Sequence, residues 1–140
     1  MSKIELYVNE NHPQTNADIQ YLHLSHITTV DNASCDDIEL NNCLDYALER
    51  DEILPVVISK LRYGGVIKIS GVDLTAVIED GSRCIIGLAQ IQQLLYAGRM
   101  SCDTYENTIA KLKNAQLTIL HEVLDDQHYF ITAVRNLPQG

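Results

Sequence analysis

Several polar side chains crowd one junction in the stretch DDIELNNCLDYAL, residues 36–48, where a β-prone run gives way to helical spacing. Asn41, Asn42 and Cys43 lie at this junction. Open α/β sheets bind ligands at the carboxyl ends of their strands, which is where this pattern places the polar groups. A thiol at a helix start can also have a lowered pKa, which would make Cys43 a nucleophile, and a small half-buried thiol is the alternative.

Two other pairs of side chains have spacings that could serve chemistry. His23 and His26 could form a metal pair, but an odd separation on a strand sends them to opposite faces, so we expect structural histidines and no metal site. Asp37 and Glu39 are two residues apart and share a strand face, as paired carboxylates of an acid/base site would. No third ligand is identifiable for that pair, and a solvated acidic surface is the alternative.

The composition predicts one globular domain over residues 1–140. Apolar residues make up 46% and charged residues 21%, which excludes a largely disordered chain and a disulfide scaffold. The sequence has no apolar window of membrane-spanning length, no signal-peptide core and no C-x-x-C pair. We therefore expect a cytoplasmic protein with reduced thiols and no membrane contact.

Charge is distributed unevenly along the chain. The net charge is −9, and residues 1–54 hold eleven acidic residues against Lys3 and Arg50, whereas the remainder holds eight residues of each sign. An acidic surface repels a phosphate backbone, so no broad nucleic-acid surface is expected. Solubility is the simpler explanation of the acidity.

The pattern of apolar and turn-forming residues predicts an α/β chain. Strands are predicted over 3–8, 19–24, 36–40 and 66–70, helices over 84–98 and from a cap at Asp103, and an antiparallel hairpin over 117–135. A further helix is predicted with Pro55 in its first turn and Gly64 and Gly65 as its stop. The β-branched run VIKIS then suggests a parallel strand covered on both faces. The predicted sheet is mostly parallel.

The junction, taken together with ISKLRYGGVIKISGVDL, resembles the second half of class I S-adenosylmethionine-dependent methyltransferases. Asp37 and Ile38 match that family's strand of type FDEI, CLDY at 43–46 matches its VLEH-like helix start, and LRYGG at 61–65 matches its LKPGG turn. The run LLYAG, the helix around Tyr105 and the terminal hairpin are similar to the tail of small members. The resemblance spans residues 36–135 and implies a Rossmann-like methyltransferase sheet.

The resemblance implies S-adenosylmethionine as the cofactor, bound at the carboxyl ends of the first and third strands. The residues that it places around this cofactor are Asn9, Glu10, Asp31, Asn32, Asn41, Asn42 and Cys43. Asn9 and Glu10 would follow the first strand, Asp31 would meet the adenine amine, and Cys43 would border the methionine end. Turn and cap roles are the alternative for Asp31 and the asparagines.

The amino-terminal part departs from the family pattern. The family carries a glycine-rich loop after its first strand, whereas LYVNENHPQTN has no glycine and the first glycine of the chain is Gly64. Only residues 9–35 separate the first and third strands, too few for the two helices and two strands that the family places there. The sequence therefore predicts a small, reduced member with a degenerate cofactor site.

Reduction of the fold has two functional consequences. We expect a methyltransferase-like protein with reduced or no catalytic activity, or alternatively a non-catalytic binding or assembly module that no longer binds the cofactor. A reduced sheet leaves a strand edge uncovered, so a homo-oligomer, and specifically a dimer, is expected. The catalytic residues and the methyl acceptor are not encoded recognisably, because acceptor sites in this fold are built from loops and insertions.

Overall fold

One six-stranded sheet forms the centre of the molecule. The computed structural model describes residues 3–7, 19–47, 49–96, 99 and 102–138. The strands are β1 (Lys3–Tyr7), β2 (Ile19–His23), β3 (Cys35–Asn41), β4 (Leu61–Val72), β5 (Leu117–Asp125) and β6 (His128–Arg135). Their order is β2-β1-β3-β4-β6-β5; the first four are parallel, and β6 is antiparallel to both β4 and β5. The predicted α/β fold, mostly parallel with a carboxyl-terminal antiparallel hairpin, is confirmed.

Helices flank this sheet. They are α1 (Arg50–Lys60), α2 (Leu74–Ser82), α3 (Leu88–Tyr96) and α4 (Tyr105–Asn114), with 3₁₀ helices at Leu24–Thr29 and Leu44–Tyr46. In the described ranges, no helix combines the length and the apolar character needed to cross a membrane.

One face of the sheet builds the hydrophobic core. Alternate residues of a strand point to the same face, and Ile38 and Leu40 of β3 and Ile67 of β4 are fully buried on this face. Val57 of α1 and Leu112 of α4 belong to the same cluster. Burial of these aliphatic side chains is the main term that fixes α1 and α4 against the sheet.

The opposite face of the sheet, called here the open face, is polar at its centre. The register aligns Glu5, Glu39, Lys68 and Thr132 across four neighbouring strands. Half of the Lys68 side chain is exposed, whereas Ser70 and Val72 are buried. The prediction that this strand is covered on both faces therefore holds only at its carboxyl end, because Lys68 remains in solvent.

The predicted boundaries of the first long helix were wrong at both ends. Helix α1 begins at Arg50, so Pro55 lies inside it and not in its first turn. The helix ends at Lys60, and Gly64 and Gly65 lie within β4. Pairing passes from Cys35 opposite Leu61 to Asp37 opposite Val66, so β4 holds extra residues there. Gly64 accommodates this irregularity with a φ of 84°, a conformation that favours glycine.

The later helices also differ from the prediction. Helix α2 was not predicted, and α3 occupies only part of the predicted 84–98 segment. Helix α4 is capped by Thr104, whose Oγ1 accepts a hydrogen bond from the Asn107 amide at 3.1 Å. The neighbouring Asp103 was the predicted cap, but its carboxylate accepts from Lys111 Nζ at 2.7 Å instead. Two adjacent residues with cap-forming side chains made the sequence ambiguous by one position.

Candidate functional site

The carboxyl ends of the parallel strands meet at one edge of the sheet, called here the crevice edge. Tyr7, His23 and Asn41 are the last residues of β1, β2 and β3. Tyr7 pairs with His23 in the register, and their rings meet edge to face with centroids 5.4 Å apart. Asn41 pairs with Ser70 of β4. This edge is where open α/β sheets bind ligands.

Asn41 connects three central strands through its side chain. Its Nδ2 donates to Glu5 Oε1 at 3.1 Å, and its Oδ1 accepts from Ser70 Oγ at 3.3 Å. Glu5 is only 7% exposed. Because both ends of the amide are bonded within the protein, Asn41 acts here as a bridge between β1, β3 and β4.

Asn42 has a different environment from Asn41. Its φ is 55°, in the left-handed region that asparagine tolerates better than most residues. Its backbone N–H donates to the Ser70 carbonyl at 3.0 Å. Its Oδ1 is buried and accepts no hydrogen bond from the residues that the structure describes. A buried acceptor with no donor is costly, so this atom suits a ligand that brings an N–H or O–H.

Cys43 is a buried thiol. Its Sγ donates to the Leu6 carbonyl at 2.7 Å, and the side chain is 1% exposed. Burial is the largest cause that raises the pKa of this thiol to about 12. At neutral pH the sulfur therefore stays protonated and cannot act as a thiolate nucleophile. The alternative expectation was a half-buried thiol, and the side chain is more deeply buried than that.

The structure does not bring Asp31 and Asn32 to the crevice edge. Both precede β3, next to the start of β4, where the Ser34 amide donates to the Lys60 carbonyl at 3.0 Å. Asn32 Oδ1 accepts from Lys60 Nζ at 2.8 Å. They lie at the amino ends of the parallel strands, on the opposite edge from Asn41. Asn9 and Glu10, the other two predicted cofactor residues, lie outside the described residues.

A cavity of about 610 Å³ opens beside the crevice edge, between the end of β2 and helix α1. Its lining comes from the end of β2, from the 3₁₀ helices, from residues just before α1 and from the first turns of α1. The lining residues are His23, Leu24, Ser25, Tyr46, Ala47, Glu49, Glu52, Ile53 and Val56. The walls are thus apolar and aromatic, with an imidazole and two carboxylates among them.

The two carboxylates interact with each other. A hydrogen bond that protonated Glu52 donates to Glu49, followed by the charge of Glu49, raises the pKa of the exposed Glu52. Such a pair concentrates negative charge at the cavity rim, where it can accept hydrogen bonds from amines and hydroxyls.

His23 caps a 3₁₀ helix. Its Nδ1 accepts from the Ser25 amide at 3.1 Å, and its ring centroid lies 6.1 Å from that of His26.

Asp37 lies on the open face with its Oδ2 3.8 Å from Lys68 Nζ. Among the described ranges, no group of three or more His, Cys, Asp and Glu side chains is arranged to hold a metal ion.

The sequence prediction missed the buried carboxylate of Asp45. Its side chain is 0% exposed and lies 3.1 Å from Arg50 Nη1 and 3.3 Å from Arg99 Nε. It also accepts from the Val72 amide at 3.2 Å. Arg99 in turn lies over the Tyr46 ring, 5.3 Å from its centroid. This ion pair therefore links a cavity wall to α1, β4 and the segment before α4.

Solved structures with the same fold include several methyltransferases. An S-adenosylmethionine-dependent methyltransferase from Methanosarcina mazei matches with a TM-score of 0.64 and 11% identity, over 98% of this chain and 83% of that one. One from Mesorhizobium loti matches at 0.63 and 15%, over 96% and 80%. An O-methyltransferase family protein from Burkholderia thailandensis matches at 0.61 and 15%, over 87% and 37%.

The chain is shorter than many of the proteins that it matches. It spans 45% of a possible exported protein from Bordetella parapertussis, at 19% identity and a TM-score of 0.58. No protein-family model and no curated protein matches the sequence. The backbone architecture, and not sequence identity, carries the similarity, and this chain has the class I S-adenosylmethionine-dependent methyltransferase-like fold in a six-stranded form.

Proposed function

We propose that this chain is a methyltransferase-like protein that binds S-adenosylmethionine beside the crevice edge and has reduced or no methyl-transfer activity by itself. The observation that carries the proposal is the cavity of about 610 Å³ at the carboxyl ends of the parallel strands of this fold. Small-molecule sites typically have volumes of roughly 300–1,000 Å³ and mostly apolar walls.

The residues of the cavity suit the adenosine end of the cofactor. Tyr46 and Ile53 offer flat and apolar surface, and Glu49 and Glu52 offer acceptors for an amine or for ribose hydroxyls. Asn42 Oδ1 is a further acceptor at the same edge of the sheet and has no donor among the described residues. Asp31 is not part of this proposal, because it lies at the other edge of the sheet.

Fewer side chains are available to bind the methionine end of the cofactor than its adenosine end, which supports reduced catalysis. Bound S-adenosylmethionine would supply an electrophilic methyl group, and its transfer depends mainly on positioning. The side chains of Asn41 and Cys43 are already hydrogen-bonded within the protein. The segment after β1 contains no glycine that would let the backbone approach a ligand closely.

Calorimetric titration with S-adenosylmethionine and S-adenosylhomocysteine tests the proposal. We expect micromolar binding that is lost in Val56→Trp, because indole would fill the cavity that Val56 lines. The matched control is Val66→Trp, on the open face of β4, and Asp31→Ala is a control on the opposite edge. Thermal unfolding of each variant shows whether it is folded.

The outcomes separate this proposal from its alternative. Binding that survives Val56→Trp would contradict the cavity as the site. Absence of heat at millimolar ligand would contradict cofactor binding altogether and favour a non-catalytic binding or assembly module. The observation that favours the module is the open face, where Lys68 and Phe130 are about half exposed.

We propose in addition that the protein is cytoplasmic and assembles as a homo-oligomer, namely a dimer. All four cysteines are free, which suits a reducing compartment. Among the described residues the sheet ends at β2 and β5, and an unpaired strand edge is commonly covered by another chain. Light scattering at micromolar concentration tests the dimer, and a monomeric mass would contradict it.

A further inference from the structure

The two edges of the sheet differ in how much apolar surface they expose. At the β5 edge, Leu120, Val123 and Leu124 are 49%, 54% and 46% exposed, and Phe130 on the adjoining β6 is 47% exposed. At the β2 edge, Gln20 is the one exposed side chain of the strand. Within the described ranges, β5 has a strand neighbour on one side only. An apolar strand with an unpaired edge is a site for pairing with another chain.

We infer that the occupant of this edge is β5 of a second copy, paired antiparallel about a two-fold axis at Val123. A two-fold contact places the same surface of both copies against itself and closes the assembly at two chains. The inference rests on the proposed dimer and is independent of cofactor binding, because β5 and β2 are at opposite ends of the sheet.

The pairing of β5 with β6 determines which side chains can face each other. His121, Val123 and Asp125 pair with Thr132, Phe130 and His128 and lie on the open face, whereas Glu122 and Leu124 lie on the core face. A two-fold axis perpendicular to the sheet keeps each face on its own side, so only residues of the same face can be opposite one another. The register shift between Ile119 and His121 limits regular pairing to residues 121–125.

Charge complementarity selects one register within this segment. An axis at Glu122 places two carboxylates opposite each other, and like charges directly opposite are destabilising. An axis at His121 opposes two imidazoles, and an axis at Leu124 opposes Val123 to the second copy's Asp125. Only the axis at Val123 opposes valine to valine and each His121 to an Asp125 of the other copy.

The first test is the association constant of Val123→Lys, measured by sedimentation equilibrium. Two lysines would face each other across the axis, so we expect the dimer dissociation constant to rise about tenfold or more. Val123 is more than half exposed, so the monomer should keep its fold, which circular dichroism checks. The matched control is Gln20→Lys on the opposite edge strand, which should leave the dissociation constant unchanged.

The second test examines the register by charge exchange. His121→Asp would oppose two carboxylates and weaken the dimer, and the double variant with Asp125→His should restore it. In a Cys84→Ser background, Val123→Cys should form an intermolecular disulfide on mild oxidation, whereas Thr118→Cys, outside the paired segment, should not.

The results test the dimer, the β5 interface and the register separately. A monomeric wild-type protein would overturn both the dimer and this interface. A wild-type dimer that resists Val123→Lys, or that Gln20→Lys dissociates, would overturn this interface and leave the dimer proposal standing. A dimer that Val123→Lys dissociates, without rescue by the double charge exchange, would overturn the register centred on Val123.

Discussion

Two polar features lie within five residues of each other and are built differently. The corner of Asn41, Asn42 and Cys43 ends β3 at the crevice edge, and Asn42 Oδ1 has no donor among the described residues. Asp45 is 0% exposed and engages two arginines and a backbone amide. The position whose side chain suggests ligand binding, Asn42, is therefore not the position at which the fold holds a buried charge, Asp45.

The environment of Asp45 is that of a structural charge. Removing a carboxylate from water is costly, and the cost is offset here by Arg50 from α1 and Arg99 from the segment before α4. Replacing such a group of paired charges as a unit can be nearly neutral, but removing one partner leaves buried charge poorly compensated. Without Asp45, Arg50 would still have Asp103 Oδ2 3.9 Å from its Nε.

The largest expected effect is that of Asp45→Ala. Two guanidinium groups would lose the carboxylate between them, so the free energy of unfolding should fall by about 3–5 kcal/mol. Chemical denaturation measures this change. The control is Asp51→Ala, because that side chain is 74% exposed beside Lys111 and should cost less than about 1 kcal/mol. A loss of under about 1 kcal/mol in Asp45→Ala would show that the ion pair is not structural.

The sequence predicted the sheet well because the patterns that mark strands and turns involve neighbouring residues only. Short β-prone runs marked β1, β2 and β3, and the turn-like gap DDQ at 125–127 marked the hairpin. The residues of the corner at the end of β3 were also identified, because a strand end followed by polar residues is a local pattern. Helix α2 was missed, since its Asp73 cap directly follows a strand without any turn-forming run.

The parts that could not be predicted depend on contacts between distant residues. Asp45 could be seen in the sequence, but Arg99 is 54 positions away, and no local pattern pairs them. The expected position of Asp31 failed for a similar reason. The loop before β3 was assigned to the cofactor by analogy, whereas the direction of the strands places it at the opposite edge.

A smaller effect on the free energy of unfolding is expected from Cys43. Its dependence on pH should distinguish a buried thiol from a reactive one. Its pKa of about 12 in the folded protein lies above the ordinary value near 9.0 because the sulfur is buried. The unfolded chain therefore releases this proton at lower pH than the folded one. The stabilisation is complete below pH 9 and is lost as pH rises from 9 towards 12, by at most about 1.4 kcal/mol per pH unit.

The measurement is denaturation at pH 8, 9 and 10 for the wild-type protein and for Cys43→Ser, whose hydroxyl does not titrate in this range. The serine variant should lose stability less steeply with pH. Cys84→Ser is the matched control, since Cys84 is exposed, and it should follow the wild type. Equal slopes for wild type and Cys43→Ser would contradict the buried thiol.

The smallest effect on stability is expected at Asn42. Its substitutions also distinguish most clearly between a ligand-binding corner and a structural one. Its φ of 55° is strained for alanine but free for glycine. Asn42→Gly should therefore change the free energy of unfolding by less than about 0.5 kcal/mol, whereas Asn42→Ala should cost about 1 kcal/mol. If Asn42 Oδ1 serves a ligand, the glycine variant loses affinity for S-adenosylmethionine at nearly unchanged stability, a separation that Asp45→Ala cannot give. If Asn42→Gly is instead the more damaging of the two substitutions, the amide has a structural partner, and the corner resembles Asp45 after all.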